Sequence, residues 1–251
     1  MNLLISGALG RMGKKVYDAC LGDQLLTPIC GVDKVENFDN ANFPVYASFD
    51  KVDANVDVVI DFSSPTTLDS ILNFCLKTNT PAVLCSTGYS NEDIEKINNA
   101  SKKIALFRSA NMSLGVNLLI DLVKKASEIL GESFDVEIIE KHHNQKVDSP
   151  SGTALMLADG VKEVLNDKFY VYGREGFVGK RDKNEIGIHA VRGGNIVGEH
   201  DVIFAGENET VTLSHTATDR GVFALGAIKA GKFLIGKKSG LYSMSDVINQ
   251  K

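Results

Sequence analysis

The chain has 251 residues, of which 43% are hydrophobic and 24% are charged, and its formal net charge is −5. This composition excludes disordered, collagen-like and coiled-coil proteins and is typical of a globular one, with one or two domains expected at this length. No basic block suggests a nucleic-acid partner, and no apolar run reaches the ~18 residues of a membrane span.

The four cysteines predict neither a metal site nor a disulfide framework. No pair forms C-x-x-C, and the neighbours of Cys20, Cys30, Cys75 and Cys85 are mostly apolar. Buried free thiols in a reducing compartment are typical of this pattern. The chain begins in an apolar, strand-like segment without a basic leader, so we expect a cytoplasmic protein.

Strand-like and helix-like segments alternate through the first 111 residues. Strands are predicted at 3–6, 25–32, 57–62, 81–85 and 104–108, and helices at 13–21 and 65–77. Ser64-Pro65 is typical of a helix N-cap followed by proline, and Ser90 with Asp93 of another helix start. The acids that flank the strand at 57–62, Asp57 and Asp61, are interpreted as strand-end caps. Strand–helix alternation predicts a parallel, Rossmann-type α/β sheet.

The pattern changes after residue 112. Helices are predicted at 112–130 and 150–166, and strands at 134–140, 186–191, 196–204 and 210–215, with glycine-containing turns between the later ones. Short strands joined by tight turns predict an inserted α+β domain with a mixed, largely antiparallel sheet. A helix at 221–235 then returns to the first domain. We therefore expect one domain of residues 1–111 and 221–251, and a second, inserted domain of residues 112–220.

A glycine-rich segment, Gly7-Ala8-Leu9-Gly10-Arg11-Met12-Gly13, lies between the first strand and the first helix. Such a turn brings backbone N–H groups and a helix N-terminus to a pyrophosphate. Asp33 follows Gly13 by 20 residues at the end of the second strand, where an acid can bind the ribose. The adjacent Lys34 could attract a 2′-phosphate. These features predict a dinucleotide site; the alternative is a glycine-rich turn with a solvent-facing acid.

The segment from Glu140 to Ala154 carries a second set of reactive residues. His142, His143 and Lys146 follow a strand, and Ser151-Gly152-Thr153 begins a helix. Histidine titrates near neutrality and lysine can donate a proton, while a helix N-terminus binds carboxylates. The segment predicts a pocket for a small dianionic substrate that is protonated during reaction. The alternative is a surface loop followed by a capped helix.

This segment resembles the signature of the bacterial 4-hydroxy-tetrahydrodipicolinate reductase (dihydrodipicolinate reductase) family. Further segments are similar to that family in the same order along the chain, at 7–13, 86–88, 110–111, 115–117, 197–200 and 239–242. The resemblance implies reduction of 4-hydroxy-tetrahydrodipicolinate to tetrahydrodipicolinate, in diaminopimelate and lysine biosynthesis, with hydride from NADH or NADPH. It also implies that residues 1–111 and 221–251 form a dinucleotide-binding Rossmann domain. Residues 112–220 would form a mixed-sheet domain for substrate binding and oligomerisation, which builds a homotetramer.

The resemblance implies roles for individual residues. Proton transfer would fall to His142 and Lys146. The substrate carboxylates would be held by His143, Ser151, Gly152 and Thr153, with Arg220 adding a positive charge. The cofactor would contact Gly7, Ala8, Leu9, Gly10, Arg11, Met12, Asp33, Lys34, Cys85, Ser86, Thr87, Ser109, Ala110, Asn111 and Met112.

The chain departs from the family pattern near the cofactor. Cys85 stands where the family often has glycine, so its side chain either narrows the nicotinamide pocket or points away. Asp33 replaces the longer glutamate of some members, and Lys34 stands where some carry arginine. A shorter acid beside a lysine leaves room for a 2′-phosphate, although lysine lacks the bidentate fork of arginine. We therefore expect use of both NADH and NADPH.

Other functions remain open at this point. Another small-molecule NAD(P)-dependent dehydrogenase and a non-catalytic dinucleotide-sensing regulator would each retain the glycine-rich segment. No metal is expected, because His142, His143 and His200 do not have the spacing of a zinc site. A serine nucleophile at Ser151 would lack the G-x-S-x-G turn. The pair Glu199-His200 is given no role.

Overall fold

The computed structural model describes residues 1–36 and 42–249, and it divides into two compact units. Unit 1 consists of Met1–Leu114 and Arg220–Lys251, and unit 2 of Gly115–Asp219. Unit 2 is thus an insertion between two segments of unit 1. Within the described ranges, no helix combines the length and the apolar character needed to cross a lipid bilayer.

Unit 1 contains a sheet of seven parallel strands. Its strands are β1 (Asn2–Ser6), β2 (Thr27–Val32), β3 (Val45–Tyr46), β4 (Val58–Asp61), β5 (Ala82–Leu84), β6 (Ala105–Arg108) and β12 (Gly240–Tyr242). The spatial order is β12-β6-β5-β4-β1-β2-β3. The order reverses between β1 and β4, which is where sheets of this kind bind ligands beyond their carboxyl ends. The predicted parallel α/β sheet is confirmed.

Helices cover both faces of this sheet. They are α1 (Arg11–Cys20), α2 (Leu68–Thr78), α3 (Asn91–Ser101), α6 (Gly221–Leu234) and α7 (Met244–Ile248). Leu3 and Ile5 belong to one apolar cluster, with residues of α1 and α6, whereas Leu4 belongs to another with residues of α2 and α3. Because both faces are buried, the strands are continuous apolar runs in the sequence.

The boundaries of several elements differ from prediction. A 3-10 turn, Pro65–Thr67, precedes α2, and Ser64 pairs with the Thr66 hydroxyl instead of capping the helix. The predicted helix start at Ser90 is confirmed, because Ser90 and Asp93 form a reciprocal capping box. All four cysteines are free and buried, as predicted.

Unit 2 contains a mixed sheet and two helices. Its elements are α4 (Leu114–Leu130), β7 (Asp135–His142), α5 (Gly152–Val164), β8 (Phe169–Tyr172), β9 (Glu185–Arg192), β10 (Gly198–Ala205) and β11 (Thr210–Ala217). In the order β11-β10-β7-β9-β8, β10 runs antiparallel to both neighbours, while β9 runs parallel to both of its own. The mixed sheet is confirmed, and its parallel half arises from β9 and the unpredicted β8.

The two faces of this sheet differ in polarity. Val136, Ile138, Val202 and Phe204 are buried in one apolar cluster with residues of α4 and α5. We call the opposite side the open face; its alternating residues are partly or fully exposed and comprise Glu137, Ile139, Lys141, His189, Asp201, Ile203 and Thr212. Because side chains alternate along a strand, Glu140 and His142 lie on the helix-covered face with Val136 and Ile138.

Candidate functional site

A cavity of about 320 Å³ lies in unit 1 where β1 and β4 end. Gly7 and Gly10 line one part of it, and Asp33, Lys34 and Ser64 line others. Its size lies within the range of small-molecule sites. The cavity is therefore at the position that the strand order marks for a ligand.

The glycine-rich turn requires its glycines. Gly7 has a φ of +76°, and a Cβ at Gly13 would lie 2.2 Å from the carbonyl oxygen of Gly7. Gly10 begins α1 without a side-chain cap, so the first N–H groups of that helix are left for a ligand anion. The turn thus has the close backbone approach that a pyrophosphate needs.

Asp33 connects the end of β2 to this turn. Its Oδ2 accepts a hydrogen bond from the Leu9 N–H at 2.8 Å, and its Oδ1 accepts one from the Lys34 N–H at 2.7 Å. The predicted ribose-binding acid therefore lies beside the glycine-rich turn, with the exposed Lys34 next to it.

A buried carboxylate at the end of β4 joins two loops near the cavity. Asp61 is fully buried, and it accepts hydrogen bonds from the N–H and hydroxyl of Ser63 and from the Ser86 hydroxyl, the last at 2.7 Å. Burial raises the pKa of Asp61, against these hydrogen bonds. Asp61 is thus a strand-end cap, and it links the loop after β4 to the loop that contains the predicted cofactor residues Ser86 and Thr87.

The remaining predicted cofactor residues differ in what they can offer a ligand. The Cys85 side chain belongs to the apolar core, and burial raises the pKa of its thiol well above the usual value. Cys85 is not among the residues that line the cavity described above. Met112 is also buried in that core, and the Ser109 hydroxyl donates to the Asn111 carbonyl at 2.7 Å. Thr87 and Ala110 are exposed.

In unit 2, Glu140 and His142 form a buried acid–imidazole pair on β7. Nδ1 of His142 lies 2.6 Å from Oε2 of Glu140. Burial lowers the pKa of His142, and the charges of Lys146 and Arg192 also lower it, outweighing Glu140. Neutral His142 therefore donates its Nδ1–H to Glu140 and keeps Nε2 as an acceptor. A Cβ at Gly198 would lie 3.1 Å from Nε2, so glycine leaves space beside this atom.

Lys146 lies in the loop that follows β7. Its Nζ is 2.9 Å from Oδ1 of Asp148, and 19% of its side chain is exposed. The loop is attached to the sheet through the Asn144 N–H, which donates to the Gly194 carbonyl at 3.2 Å. An ammonium group is thus held near His142 and is still accessible.

The N-terminus of α5 completes the predicted substrate site. Ser151 is its N-cap, and its Oγ accepts from the Ala154 N–H and pairs with Nε2 of His200 at 2.9 Å. Burial lowers the pKa of His200 to about 4, so this histidine is neutral. Gly152 is exposed at the first helical position. His200, which had no role in the sequence, therefore supports the cap from a strand 49 residues away.

The predicted residues fall into both units. His142, His143, Lys146, Ser151, Gly152 and Thr153 belong to unit 2, and the glycine-rich turn and Asp33 belong to unit 1. Arg220 is the N-cap of α6 in unit 1. In the part of the chain that the structure describes, no group of three His, Cys, Asp or Glu residues has an arrangement that could hold a metal ion.

Sequence comparison identifies relatives along the whole chain. The family model described as "Dihydrodipicolinate reductase, N-terminus" matches residues 1–112, and "Dihydrodipicolinate reductase, C-terminus" matches residues 115–248. A protein of Clostridium novyi is 49% identical over 99% of this chain and 98% of its own length. One of Caldanaerobacter subterraneus is 51% identical over 100% of this chain and 99% of its own. Both are named 4-hydroxy-tetrahydrodipicolinate reductase.

Solved structures show the same fold. A dipicolinate-bound dihydrodipicolinate reductase from Paenisporosarcina has a TM-score of 0.82 at 24% identity and covers 97% of both chains. A probable dehydrogenase from Thermotoga maritima has a TM-score of 0.61 at 12% identity, covering 98% of this chain and 92% of its own. The likeness to both structures concerns the fold alone.

Proposed function

This chain belongs to the dihydrodipicolinate reductase family, and on that premise we propose how its own residues carry out the reaction. The enzyme reduces 4-hydroxy-tetrahydrodipicolinate with NADH or NADPH, in the pathway to diaminopimelate and lysine. The observation that carries the proposal is the arrangement in unit 2 of a histidine–glutamate pair, an ammonium group and a helix N-terminus. These are the groups that protonation of a bound dicarboxylate needs.

The residues of unit 1 fit a dinucleotide. A pyrophosphate fits the cavity at the ends of β1 and β4. It also fits the glycine-rich turn, where a Cβ at Gly13 would collide with the backbone. Asp33 would accept a hydrogen bond from the ribose. The nicotinamide would be bordered by the backbone of two segments, Cys85-Ser86-Thr87 and Ser109-Ala110-Asn111-Met112. When bound, the nicotinamide supplies the hydride.

Lys146 and His142 would handle the proton. The 4-hydroxyl group of the substrate would leave as water, and the Lys146 ammonium would donate a proton to the ring that receives the hydride, since lysine carries three N–H donors. His142, neutral and with Nε2 as an acceptor, would take up or return a proton beside it. His142 is buried and Lys146 is partly buried: 11% of the His142 side chain and 19% of the Lys146 side chain are exposed.

The substrate carboxylates would bind at the N-terminus of α5. Gly152 and Thr153 would offer N–H groups at the positive end of the helix, and His143 would add a side-chain donor. Ser151 would act mainly by shaping this terminus, because its Oγ already accepts from Ala154 and pairs with His200. Arg220 would contribute positive charge.

The activity is tested by following the oxidation of NADH and NADPH. The substrate is generated in situ from pyruvate and aspartate semialdehyde by the preceding synthase. We expect loss of nicotinamide absorbance only when the synthase and this protein are both present. Cofactor binding without turnover would contradict the substrate assignment and would favour a different dehydrogenase or a dinucleotide-sensing regulator.

We expect the enzyme to use both cofactors. Asp33 favours a free ribose hydroxyl, while Lys34 can pair with a 2′-phosphate, so kcat/KM for NADH and NADPH should differ by less than ~100-fold, or about 2.7 kcal/mol. Lys34→Ala should lower kcat/KM for NADPH several-fold, since one exposed ion pair is worth up to ~1 kcal/mol, and leave NADH almost unchanged. Equal losses with both cofactors would contradict this role of Lys34.

We also propose that four copies assemble through the open face of unit 2. Ile139 and Ile203 lie among charged and hydroxyl side chains on a sheet face that is partly exposed, and such faces pack against one another in many proteins. Light scattering after size exclusion should give about 108 kDa, four times the 27.1 kDa of one chain. Ile139→Lys should dissociate this assembly. A monomeric mass for the wild type would contradict the proposal.

We propose a cytoplasmic location as well. Its support is the set of four free, buried thiols, which suits a reducing compartment. Fractionation of cells that produce the protein, followed by immunoblotting, tests this location.

A further inference from the structure

Arg192, the last residue of β9, makes several hydrogen bonds close to the proposed site through its two terminal nitrogens. Its Nη1 and Nη2 each donate to one oxygen of Glu140 at 2.7 Å, which makes the pair bidentate. Nη2 also donates to the Asp148 carbonyl at 2.9 Å. The guanidinium thus bridges a buried carboxylate of the sheet and the loop that contains Lys146.

Glu140 also accepts hydrogen bonds from two further groups. Its Oε2 accepts from Nδ1 of His142, and its Oε1 accepts from the Ser151 N–H at 3.0 Å. Burial opposes the ionisation of Glu140, but the bonds from Arg192, His142 and Ser151 hold its pKa below the usual value. Because Glu140 is fully buried, its charge depends on a partner that matches both oxygens, which a guanidinium does.

An arginine–glutamate pair inside a sheet could serve stability alone. Two observations indicate that this pair also serves the proposed site. The bond to the Asp148 carbonyl lies outside the sheet, in the segment that contains the Lys146–Asp148 ion pair. The other oxygen contacts of Glu140 go to a proposed proton-transfer residue and to the start of α5. Nη1 also donates to the carbonyl of the preceding residue, Val191, at 2.8 Å, but these other contacts of the pair all lead to the proposed site.

We propose that Arg192 is a positioning residue for the reduction, which through Glu140 and the Asp148 carbonyl holds His142, the Lys146 loop and the N-terminus of α5 in one arrangement. This inference rests on the proposed function. Arg192 acts through Glu140 and the loop, and its planar fork is the feature that lysine cannot reproduce.

The first test compares Arg192→Lys and Arg192→Met with wild type. We expect kcat to fall by about 100-fold in Arg192→Met, the size of effect that a small misplacement of reacting groups produces. Arg192→Lys keeps the charge but loses the bridge to Asp148, so its kcat, measured well below its own thermal midpoint, should fall about tenfold. The KM for NADH should stay within about threefold of wild type in both, since its proposed site is in the other unit.

Lys124→Met is the matched control. Lys124 forms an ion pair with Glu163 between α4 and α5, in the same unit. The substitution removes a cation and its ion pair with Glu163 and leaves the hydrogen bonds to Glu140 in place. We therefore expect kcat to be unchanged. A kcat loss in Lys124→Met equal to that in Arg192→Met would mean that Arg192 acts only through the stability of the unit.

The second test is the pH dependence of His142. The charged and titratable groups that face it are Glu140, Lys146, Arg192 and His200. Arg192→Met removes a positive charge, so the His142 midpoint, followed by proton NMR and by the pH profile of kcat, should move to higher pH. Glu140→Gln removes the negative charge and should move it to lower pH. An unchanged His142 midpoint in folded Arg192→Met would contradict the arrangement of Arg192, Glu140 and His142 on which the positioning role rests.

The outcomes separate this inference from the proposed function. If His142→Ala and Lys146→Ala retain wild-type kcat, the proposed proton roles fail and this inference fails with them. If those variants lose activity while folded Arg192→Met keeps kcat within threefold, only the positioning role is overturned. An Arg192→Lys variant with wild-type kcat would also overturn it, because charge alone would then be sufficient.

Discussion

Replacing Lys146 or His142 by alanine should reduce kcat by about 10²–10⁴-fold, the contribution expected of a general acid or base. Both residues lie in unit 2, so the dissociation constant for NADH should change little. The measurement is steady-state turnover with synthase-generated substrate, together with NADH binding followed by fluorescence. Lys146→Ala should have the larger effect if the ammonium is the immediate donor.

Gln145→Ala is the control for the loop. Gln145 is exposed beside Lys146, and its amide donates to the Asn144 side chain at 3.1 Å. Its loss should leave kcat within about twofold of wild type, because surface substitutions away from special features have small effects. Near-wild-type kcat in both Lys146→Ala and His142→Ala would show that the proton comes from elsewhere.

Gly13→Ala should abolish tight cofactor binding. The added Cβ would lie 2.2 Å from the Gly7 carbonyl oxygen and 2.7 Å from that of Ala8, so the backbone of the glycine-rich turn must move. A displacement of about 1 Å at a binding turn can cost ~100-fold in function, and overpacking costs about 1–3 kcal/mol in the free energy of unfolding. NADH titration and urea unfolding measure the two effects.

Gly22→Ala is the matched control in the same unit. A Cβ at Gly22 would meet nothing within 4 Å, so NADH affinity should equal that of wild type. The same loss of affinity in both variants would point to a general effect on unit 1. Wild-type affinity in Gly13→Ala would remove the glycine-rich turn from the proposed cofactor site.

The elements that sequence predicted well are those with strong local signals. The buried parallel strands are continuous apolar runs, and Ser90 with Asp93 is a local capping motif, so both were found. The strands β3 and β12 have only two and three residues and give no such signal. β8 was missed because Phe169 and Tyr172 are exposed, which hides the alternation of a half-buried strand.

In the proposed site, too, some residues have a local sequence pattern and others do not. His142, Lys146 and Ser151-Gly152-Thr153 lie within a dozen residues of one another, so their pattern is visible in the chain. Arg192 and His200 are 52 and 49 residues from their partners Glu140 and Ser151. Only the strand order β10-β7-β9 brings them together, and no local pattern encodes that pairing. The burial of the Cys85 thiol likewise depends on packing in the core.

The two faces of β7 have different proposed roles, one in proton transfer and the other in assembly. Glu140 and His142 point to the helix-covered side, and Ile139 and Lys141 to the open face. Insertion or deletion of a single residue within β7 would exchange these sets, because the side-chain period of a strand is two. Such a change would remove the proposed acid–base pair and alter the proposed assembly surface at the same time. Evolution can therefore vary the length of the loops around this strand far more readily than the length of the strand itself.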